Sequence, residues 1–199
     1  MRIFQEELLE PLARYFRYRK GAGEINKRNV VVLDLGCGPN ISYYKFIKNR
    51  KLKIKQYIGI DPLLNKETQK KFLKNKEVTL IKSVVSPKFL KKNSVDYIVG
   101  FAFLEHVEKP KKVITEILEI LKIDGKAIFT CPSPKAIRIL EFLSFKLGLI
   151  SKSLMFEHKN YFDKKKINDL LKNFSGRIEF RHEYFEFGLN NLIVITKNK

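Results

Sequence analysis

The sequence is poor in cysteine and has no long apolar run. Only two of its 199 residues are cysteines, Cys37 and Cys131, and neither has a partner at the spacing of a zinc site or a disulfide framework. No apolar stretch reaches membrane-spanning length, and the acidic, interrupted N-terminus is unlike a signal peptide. We therefore expect a cytoplasmic protein without a metal site or a transmembrane segment.

Acidic residues are also scarce. The 40 basic residues outnumber the 21 acidic ones, so the formal net charge is +19. This excess is compatible with an anionic partner such as nucleic acid, acidic lipid or charged glycan. However, 31 of the 40 basic residues are lysine and 9 are arginine, whereas bidentate recognition of phosphate favours arginine. A solvated, lysine-rich surface is therefore the favoured interpretation, and nucleic-acid binding is the alternative.

A buried strand that runs into two glycines dominates the chain. Residues 30–35 are β-branched or aliphatic except for Asp34, a pattern that predicts a strand buried on both faces. Gly36 and Gly38 follow at once and predict a sharp turn into a helix. In open α/β sheets such a corner, at the carboxyl end of a strand, is a position for ligand binding.

The corner lacks two features of a dinucleotide site. Ile41 stands where the fingerprint G-x-G-x-x-G has its third glycine. Pro39 has no N–H to offer to a phosphate, although it suits the first turn of a helix. We interpret the corner as a site for a ligand without phosphates, which disfavours a nicotinamide-dependent oxidoreductase.

The motif Asp34-Leu35-Gly36-Cys37-Gly38-Pro39 resembles the glycine-rich motif of class I S-adenosylmethionine-dependent methyltransferases of types 11 and 12. The likeness continues in order through Asp61, segment 104–107 and the C-terminal strands, and it covers about residues 30–197. It implies S-adenosyl-L-methionine as cofactor and methyl transfer to an O, N or C atom of a small-molecule, lipid or glycan acceptor. The alternatives are a methyltransferase directed at nucleic acid and a noncatalytic binding protein on the same scaffold.

Short strands alternate with helices along the chain, which predicts a parallel sheet. The resemblance implies a Rossmann-like three-layer α/β sandwich with seven strands, mostly parallel, in the order 3-2-1-4-5-7-6 and with an antiparallel C-terminal hairpin. The predicted strands are 30–35, 56–60, 78–81, 97–101, 126–131, 177–185 and 191–196. Helices are predicted at about 2–18, 40–50, 65–75, 110–121 and 163–173, with Asp124 and Gly125 ending the fourth.

We expect one domain over residues 1–199. Its parts are an N-terminal helix and linker (1–29), a cofactor-binding core (30–133), a helical cap (134–175) and a C-terminal hairpin (176–199). In the first part, Pro11 is a kink or boundary, and the glycines of segment 21–23 predict a flexible linker. The basic, aromatic end of the helix either closes over the cofactor, as in related methyltransferases, or is a solvated helix end.

Asp61 is the second landmark of the expected cofactor site. It lies 23 residues beyond Gly38 at the tip of the second predicted strand, where a carboxylate can accept both ribose hydroxyls. The alternative is ordinary turn chemistry before Pro62. Val84 occupies the position at which many relatives have an aspartate for adenine, so backbone groups near it are expected instead. The expected cofactor contacts are Asp34, Gly36, Cys37, Gly38, Asp61, Pro62, Ser83, Val84, Val85, Phe101 and Phe103.

Glu105 and His106 follow the fourth predicted strand and are the main candidates for chemistry. The segment resembles that of ubiquinone-pathway O-methyltransferases, in which a Glu-His pair and an upstream Glu hold a divalent metal. Ala102 replaces that upstream Glu here, so we expect metal-independent chemistry. His106 then serves as a general base or orients a substrate hydroxyl. Alternatively, the pair only holds the loop and caps the next helix.

Two further segments are candidates for the acceptor side. Residues 158–163 resemble a stretch that lies near the acceptor pocket of small methyltransferases, which makes His158 and Tyr161 candidate catalytic residues; Asp163 also predicts a helix N-cap. Residues 135–150 predict a helix that is apolar almost all round. Such a helix must be covered, and three functional roles are open: a lid over a hydrophobic acceptor, an element that lies on a membrane surface, or a dimer contact. The alternative is that the C-terminal region simply buries it. The expected state is a monomer or a homodimer.

Overall fold

A computed structural model of the chain describes residues 2–84, 90–136 and 160–199, with side chains described from residue 11 onward. Seven strands and five helices lie wholly within the described ranges. The strands are β1 Val30–Leu35, β2 Ile54–Ile60, β3 Val78–Ile81, β4 Val95–Phe101, β5 Leu121–Pro132, β6 Ile178–Phe185 and β7 Asn190–Lys197. The helices are α1 Arg2–Gly23, α2 Ser42–Asn49, α3 Lys66–Phe72, α4 Pro110–Ile120 and α5 Lys164–Leu171.

All seven strands form one sheet in the order β3-β2-β1-β4-β5-β7-β6. Strands β1 to β5 run parallel, whereas β7 is antiparallel to both of its neighbours, β5 and β6. The predicted fold class and strand order are confirmed. The order reverses between β1 and β4, so the carboxyl ends of these two strands flank the crevice in which α/β proteins bind ligands.

Helices cover both faces of the sheet, which explains the unbroken apolar run of β1. Leu33 and Leu35 belong to the core on the side of α4 and α5, where Ile114 and Ile167 contribute. Val32 belongs to the core on the opposite side, with residues of α1 and α2. All three β1 side chains are inaccessible to solvent. This arrangement is the predicted three-layer sandwich.

Helix α1 is longer than the sequence pattern predicted. It continues without a break through Pro11 and includes segment 21–23, so the prediction of a flexible glycine linker there is wrong. Gly21 is buried, and a Cβ built on it would collide with the ring of Phe101. The glycine therefore serves close packing of the helix on β4 rather than backbone freedom.

Two local predictions near strand ends are also wrong. Helix α2 begins at Ser42, so Pro39 lies in the turn before it, and Ile41 enters the helix with a positive φ of 45°. Strand β5 begins at Leu121, directly after α4, so Asp124 and Gly125 lie inside the strand instead of separating it from the helix. A Cβ on Gly125 would lie 2.8 Å from a backbone oxygen of Lys122, which explains the glycine at this irregularity.

The Asp163 prediction is confirmed as a helix cap, because its side chain accepts a 2.7 Å hydrogen bond from the backbone N–H of Lys166. The predicted helix over 135–150 lies outside the described residues from position 137 onward. Within the described part of the chain, no helix has the length and apolar character needed to cross a membrane.

Candidate active site

The glycine turn after β1 forms the centre of the site. Gly36 and Gly38 have φ values of +72° and +71°, a region that favours glycine. The N–H of Gly36 donates to the carbonyl of Ile60 at the end of β2, at 2.9 Å. A Cβ on Gly36 would lie 3.1 Å from the ring of Phe103, whereas one on Gly38 would meet nothing within 4 Å. Gly38 therefore borders open space large enough to admit a ligand atom.

Asp61 braces this turn from the tip of β2. Its side chain is nearly buried, with 7% of the residue exposed. One carboxylate oxygen accepts a 2.8 Å hydrogen bond from the N–H of Gly38, and the other accepts a 2.6 Å bond from the N–H of Leu63. Each carboxylate oxygen has a second acceptor site, so turn bonding and ribose binding are compatible at Asp61. Pro62 follows, exposed, on the rim.

Asp34 lies below the turn and does not reach the surface. It accepts a short hydrogen bond from the hydroxyl of Tyr57 on β2. Burial raises the pKa of Asp34 to about 7, against the lowering effect of the Tyr57 bond, and the charge of Asp61 raises it further. Burial and the charges of Asp34 and Asp61 likewise raise the pKa of the Cys37 thiol. The corner thus brings two carboxyl groups and a thiol together in a poorly solvated place.

The raised pKa of Asp34 makes folding stability depend on pH. The folded protein holds this proton up to about pH 7, whereas the unfolded chain releases it near the ordinary value of 3.8. The free energy of unfolding is therefore highest at low pH and falls as pH rises from the unfolded pKa through the folded pKa of about 7. The loss approaches about 1.4 kcal/mol per pH unit and totals roughly 4 kcal/mol for a group shifted by about three units.

Urea unfolding of the wild type and of Asp34→Asn between pH 4.5 and 8 measures this effect. Asparagine cannot ionise, and its side-chain oxygen can still accept the Tyr57 bond. We expect the free energy of unfolding of the variant to increase relative to that of the wild type as pH rises. Two stability curves that stay parallel would mean that Asp34 is already ionised at pH 4.5.

Tyr57 and Tyr43 are two site residues that sequence reasoning missed. Burial raises the pKa of both hydroxyls well above its usual value. Tyr43 lies in the first turn of α2, and among the described residues no group forms a hydrogen bond with its buried hydroxyl. An aromatic residue within an apolar pattern predicts core, so only the tertiary structure shows that these hydroxyls flank Asp34 and the turn.

The basic, aromatic end of α1 packs on β4 and α2 through Tyr18, while Tyr15, Phe16 and Arg19 are exposed. The Tyr18 ring lies 5.1 Å from that of Phe101 and 5.2 Å from that of Tyr43, centroid to centroid. Lys20 forms a 2.5 Å ion pair with Glu183 on β6. Phe103 lies on the other side of β4 and stacks on Phe129. The two phenylalanines predicted to contact the cofactor therefore belong to different packing clusters.

The loop after β3 lies beyond Asp61, whose N–H donates to the carbonyl of Ile81 at 3.2 Å. Ser83 is half-buried, and Val84 is 70% exposed. Val85, the third residue expected near adenine, lies outside the described residues. The structure thus places Ser83 and Val84 directly after β3, on the Asp61 side of the corner.

Glu105 and His106 form a short 3-10 helix after β4. Glu105 is buried and His106 is exposed at the rim. The backbone N–H of Asn160 donates to the carbonyl of Glu105 at 3.1 Å, and its side-chain amide donates to the carbonyl of Val107 at 2.6 Å. Asn160 therefore joins the segment of Tyr161 to the Glu-His loop. His158 lies outside the described residues.

A buried asparagine holds this arrangement against the sheet. The Asn191 amide donates to the carbonyl of Phe162 at 2.9 Å and to that of Cys131 at 3.3 Å. A ring nitrogen of His182 lies 2.8 Å from the Asn191 side-chain oxygen. Sequence reasoning missed both asparagines, although a polar residue opening the apolar strand β7 is a signal that could have indicated Asn191. Among the described residues, no cluster of three or more His, Cys, Asp or Glu could hold a metal ion.

A family model described as a methyltransferase domain matches residues 3–175. The chain belongs to this methyltransferase domain family. The resemblance to class I S-adenosylmethionine-dependent methyltransferases is thereby confirmed at the level of family and fold. No curated relative matches this methyltransferase domain in sequence.

Solved structures share the fold of the methyltransferase domain at low identity. The plantazolicin methyltransferase BpumL, in complex with a triazolic desmethylPZN analog and SAH, is 14% identical, with 98% of this chain and 88% of that chain covered and a TM-score of 0.72. Phosphoethanolamine N-methyltransferase 2 of Haemonchus contortus, bound to S-adenosyl-L-methionine, is 14% identical, with coverages of 93% and 53% and a TM-score of 0.66. YcgJ of Bacillus subtilis is 12% identical, with coverages of 93% and 99% and a TM-score of 0.64.

Proposed function

We propose that the protein transfers the methyl group of S-adenosyl-L-methionine to an O, N or C atom of a small-molecule, lipid or glycan acceptor. The observation that carries this proposal is the hydrogen bond from the N–H of Gly38 to the carboxylate of Asp61, next to open space. This contact lies where the strand order reverses in the sheet of a methyltransferase-family domain. Ile41 closes the turn with a bulky side chain where a dinucleotide site has glycine, which argues against a nicotinamide cofactor.

The residues of the corner fit this cofactor. S-adenosylmethionine carries a sulfonium and an ammonium group and has no phosphate, and the carboxyl groups of Asp61 and of the deeper Asp34 lie at the corner. Asp61 would accept the ribose hydroxyls through its remaining acceptor sites. The Tyr43 hydroxyl offers a polar group to the same region, since no described residue uses it. The remaining proposed contacts are Gly36, Cys37, Gly38, Pro62, Ser83, Val84, Val85, Phe101 and Phe103.

The bound cofactor supplies an electrophilic methyl group with a good leaving group, so positioning can provide much of the acceleration. The half-buried rings of Phe101 and Phe103 are proposed to keep water from the space beside the turn. His106, exposed on the rim after β4, takes a proton from an acceptor hydroxyl or amine. Glu105, Tyr161 and His158 are proposed to orient the acceptor, with Asn160 holding the two segments together.

Calorimetry with S-adenosylmethionine, S-adenosylhomocysteine and NAD tests the cofactor. We expect the first two to bind and NAD to give no heat of binding. Tight binding of NAD alone would instead identify an oxidoreductase, and binding of none would favour a noncatalytic protein on the same scaffold. Transfer of a labelled methyl group into fractions of a cell extract would then identify the class of acceptor.

Asp61→Ala is expected to weaken binding of S-adenosylhomocysteine by roughly 2–3 kcal/mol, because hydrogen bonds to a charged acceptor are lost and Gly38 loses its brace. Isothermal titration calorimetry measures the change. Asp169→Ala, which removes an exposed carboxylate on α5, is the matched control and should bind like the wild type. Equal affinity of the Asp61 variant and this control would remove Asp61 from the site.

A further inference from the structure

Among the described residues, exposed cations are numerous at the edge of the sheet opposite the candidate site. Segments 26–29, 50–55, 74–77, 91–94 and 175–177 precede or open β1, β2, β3, β4 and β6. Because these strands run in the same direction, their starting ends lie along one edge, here called the amino edge. The five segments contain eleven lysine or arginine side chains, all exposed, and one acidic residue, Glu77. The start of β5 and the end of β7 lie at the same edge and add Lys122, Lys197, Lys199 and the exposed Asp124.

The carboxyl edge, where the candidate site lies, has the opposite balance. Its described segments contain five acidic residues and three lysines. A composition rich in lysine would by itself place an excess of cations at both edges. Within the described residues, the charge therefore differs between the two edges. The segments compared at the carboxyl edge are 36–41, 61–65, 82–84, 102–109, 133–136, 160–163 and 186–189.

Most cations of the amino edge have their charge available to a partner. The single acidic residue of the five segments, Glu77, is already paired with Lys48 of α2 at 3.0 Å. Lys51, Lys53, Lys74 and Lys76 form no ion pair with any other described residue. Such side chains can bind the phosphates of a polyanion, and the counterions released in exchange favour binding.

The dimensions and composition of the amino edge indicate the kind of polyanion. Six strand intervals of about 4.8 Å make the edge roughly 29 Å long, a length over which a duplex presents about 17 phosphates. The five segments contain no aromatic residue, so they offer no platform for unpaired bases and no interfacial anchor for a bilayer. Lysine binds phosphate as a point charge and does not select a base.

We infer that the amino edge is a docking surface for duplex nucleic acid, bound through its phosphate backbone without sequence preference. Strands of six or seven residues separate the two edges by about 20 Å, so the docked duplex leaves the candidate active site open. This inference goes beyond the proposed methyl transfer and does not depend on it.

Two variants with the same change in net charge test the inference. The amino-edge variant combines Lys51→Glu, Lys53→Glu, Lys74→Glu and Lys76→Glu. The control variant combines Lys111→Glu, Lys164→Glu, Lys165→Glu and Lys166→Glu, four exposed residues at the starts of α4 and α5. Fluorescence anisotropy with a labelled 24-base-pair DNA duplex, and with an RNA duplex of the same length, measures affinity between 50 and 200 mM KCl.

We expect the wild type to bind both duplexes with a steep dependence on salt. The amino-edge variant should lose about a hundredfold or more in affinity at 100 mM KCl, and the slope of log K against log salt should become shallower by about three to four. The control variant should lose less than about fivefold, because its lysines lie away from the amino edge.

Equal losses in the two variants, or no binding by the wild type at 50 mM KCl, would overturn the inference. So would tighter binding to vesicles of phosphatidylcholine and phosphatidylserine (7:3) that the amino-edge variant abolishes, since the partner would then be a membrane. Circular dichroism verifies folding, and replacement of the same four lysines by glutamine serves if the glutamate variant does not fold. Binding of S-adenosylhomocysteine, measured in every variant, reports on the proposed cofactor site separately.

Discussion

Gly36→Val is expected to abolish binding of S-adenosylhomocysteine, with a loss of more than about a hundredfold, while the fold persists. The residue has φ +72°, a conformation in which a β-branched side chain is an outlier. Its Cβ would also lie 3.1 Å from the ring of Phe103, so the turn and the ring could not both stay in place. The 2.9 Å bond from Gly36 to Ile60 would shift with the backbone, and the cofactor corner with it.

Calorimetry measures the affinity of this variant, and circular dichroism verifies its fold. Gly176→Val is the matched control, because Gly176 lies before β6 at the opposite edge and a Cβ on it would meet nothing within 4 Å. The control should bind like the wild type. Normal affinity in the Gly36 variant would show that the turn does not touch the cofactor, and the proposed site would then have to lie elsewhere.

His106→Ala is expected to lower turnover by about 10²–10⁴ with little change in cofactor affinity, because transfer of a proton to a base affects only the transition state. The histidine is exposed at the rim beside β4, where an acceptor can reach it. His106→Gln separates the possible roles, since glutamine keeps a hydrogen-bonding side chain but cannot take up the proton. If His106 is a general base, both His106→Ala and His106→Gln have a low turnover. If the glutamine variant instead keeps a turnover near that of the wild type, His106 positions the acceptor.

The same assay tests metal dependence. Ala102 stands where the ubiquinone-pathway O-methyltransferases that this segment resembles have the upstream Glu of their metal site, so activity is expected to survive a chelator. Loss of activity with EDTA and rescue by magnesium would assign Glu105 and His106 as ligands. If instead the alanine variant loses stability or cofactor affinity while turnover per bound enzyme is kept, the pair only holds the loop.

The sequence by itself determined the fold class and the position of the corner. The β1 run could only be a strand covered on both sides, and the glycines after it required a turn, because both signals depend on the chemistry of neighbouring residues. The terminal hairpin and the Asp163 cap were predictable for the same reason. The prediction of a flexible linker at segment 21–23 was wrong, because glycine serves close packing as well as flexibility. Only the position of Phe101 beside Gly21 distinguishes the two.

Only the tertiary structure decided which distant residues meet. Tyr57 donates to Asp34 across β1 and β2, Asn160 joins two loops 53 positions apart, and Asn191 joins β7 to the segment of Phe162. No local pattern encodes these pairs, because a hydrogen bond between distant residues depends on strand order and register. The described lysines of the amino edge follow the same rule: they are scattered along the chain and come together because parallel strands bring their starting ends together.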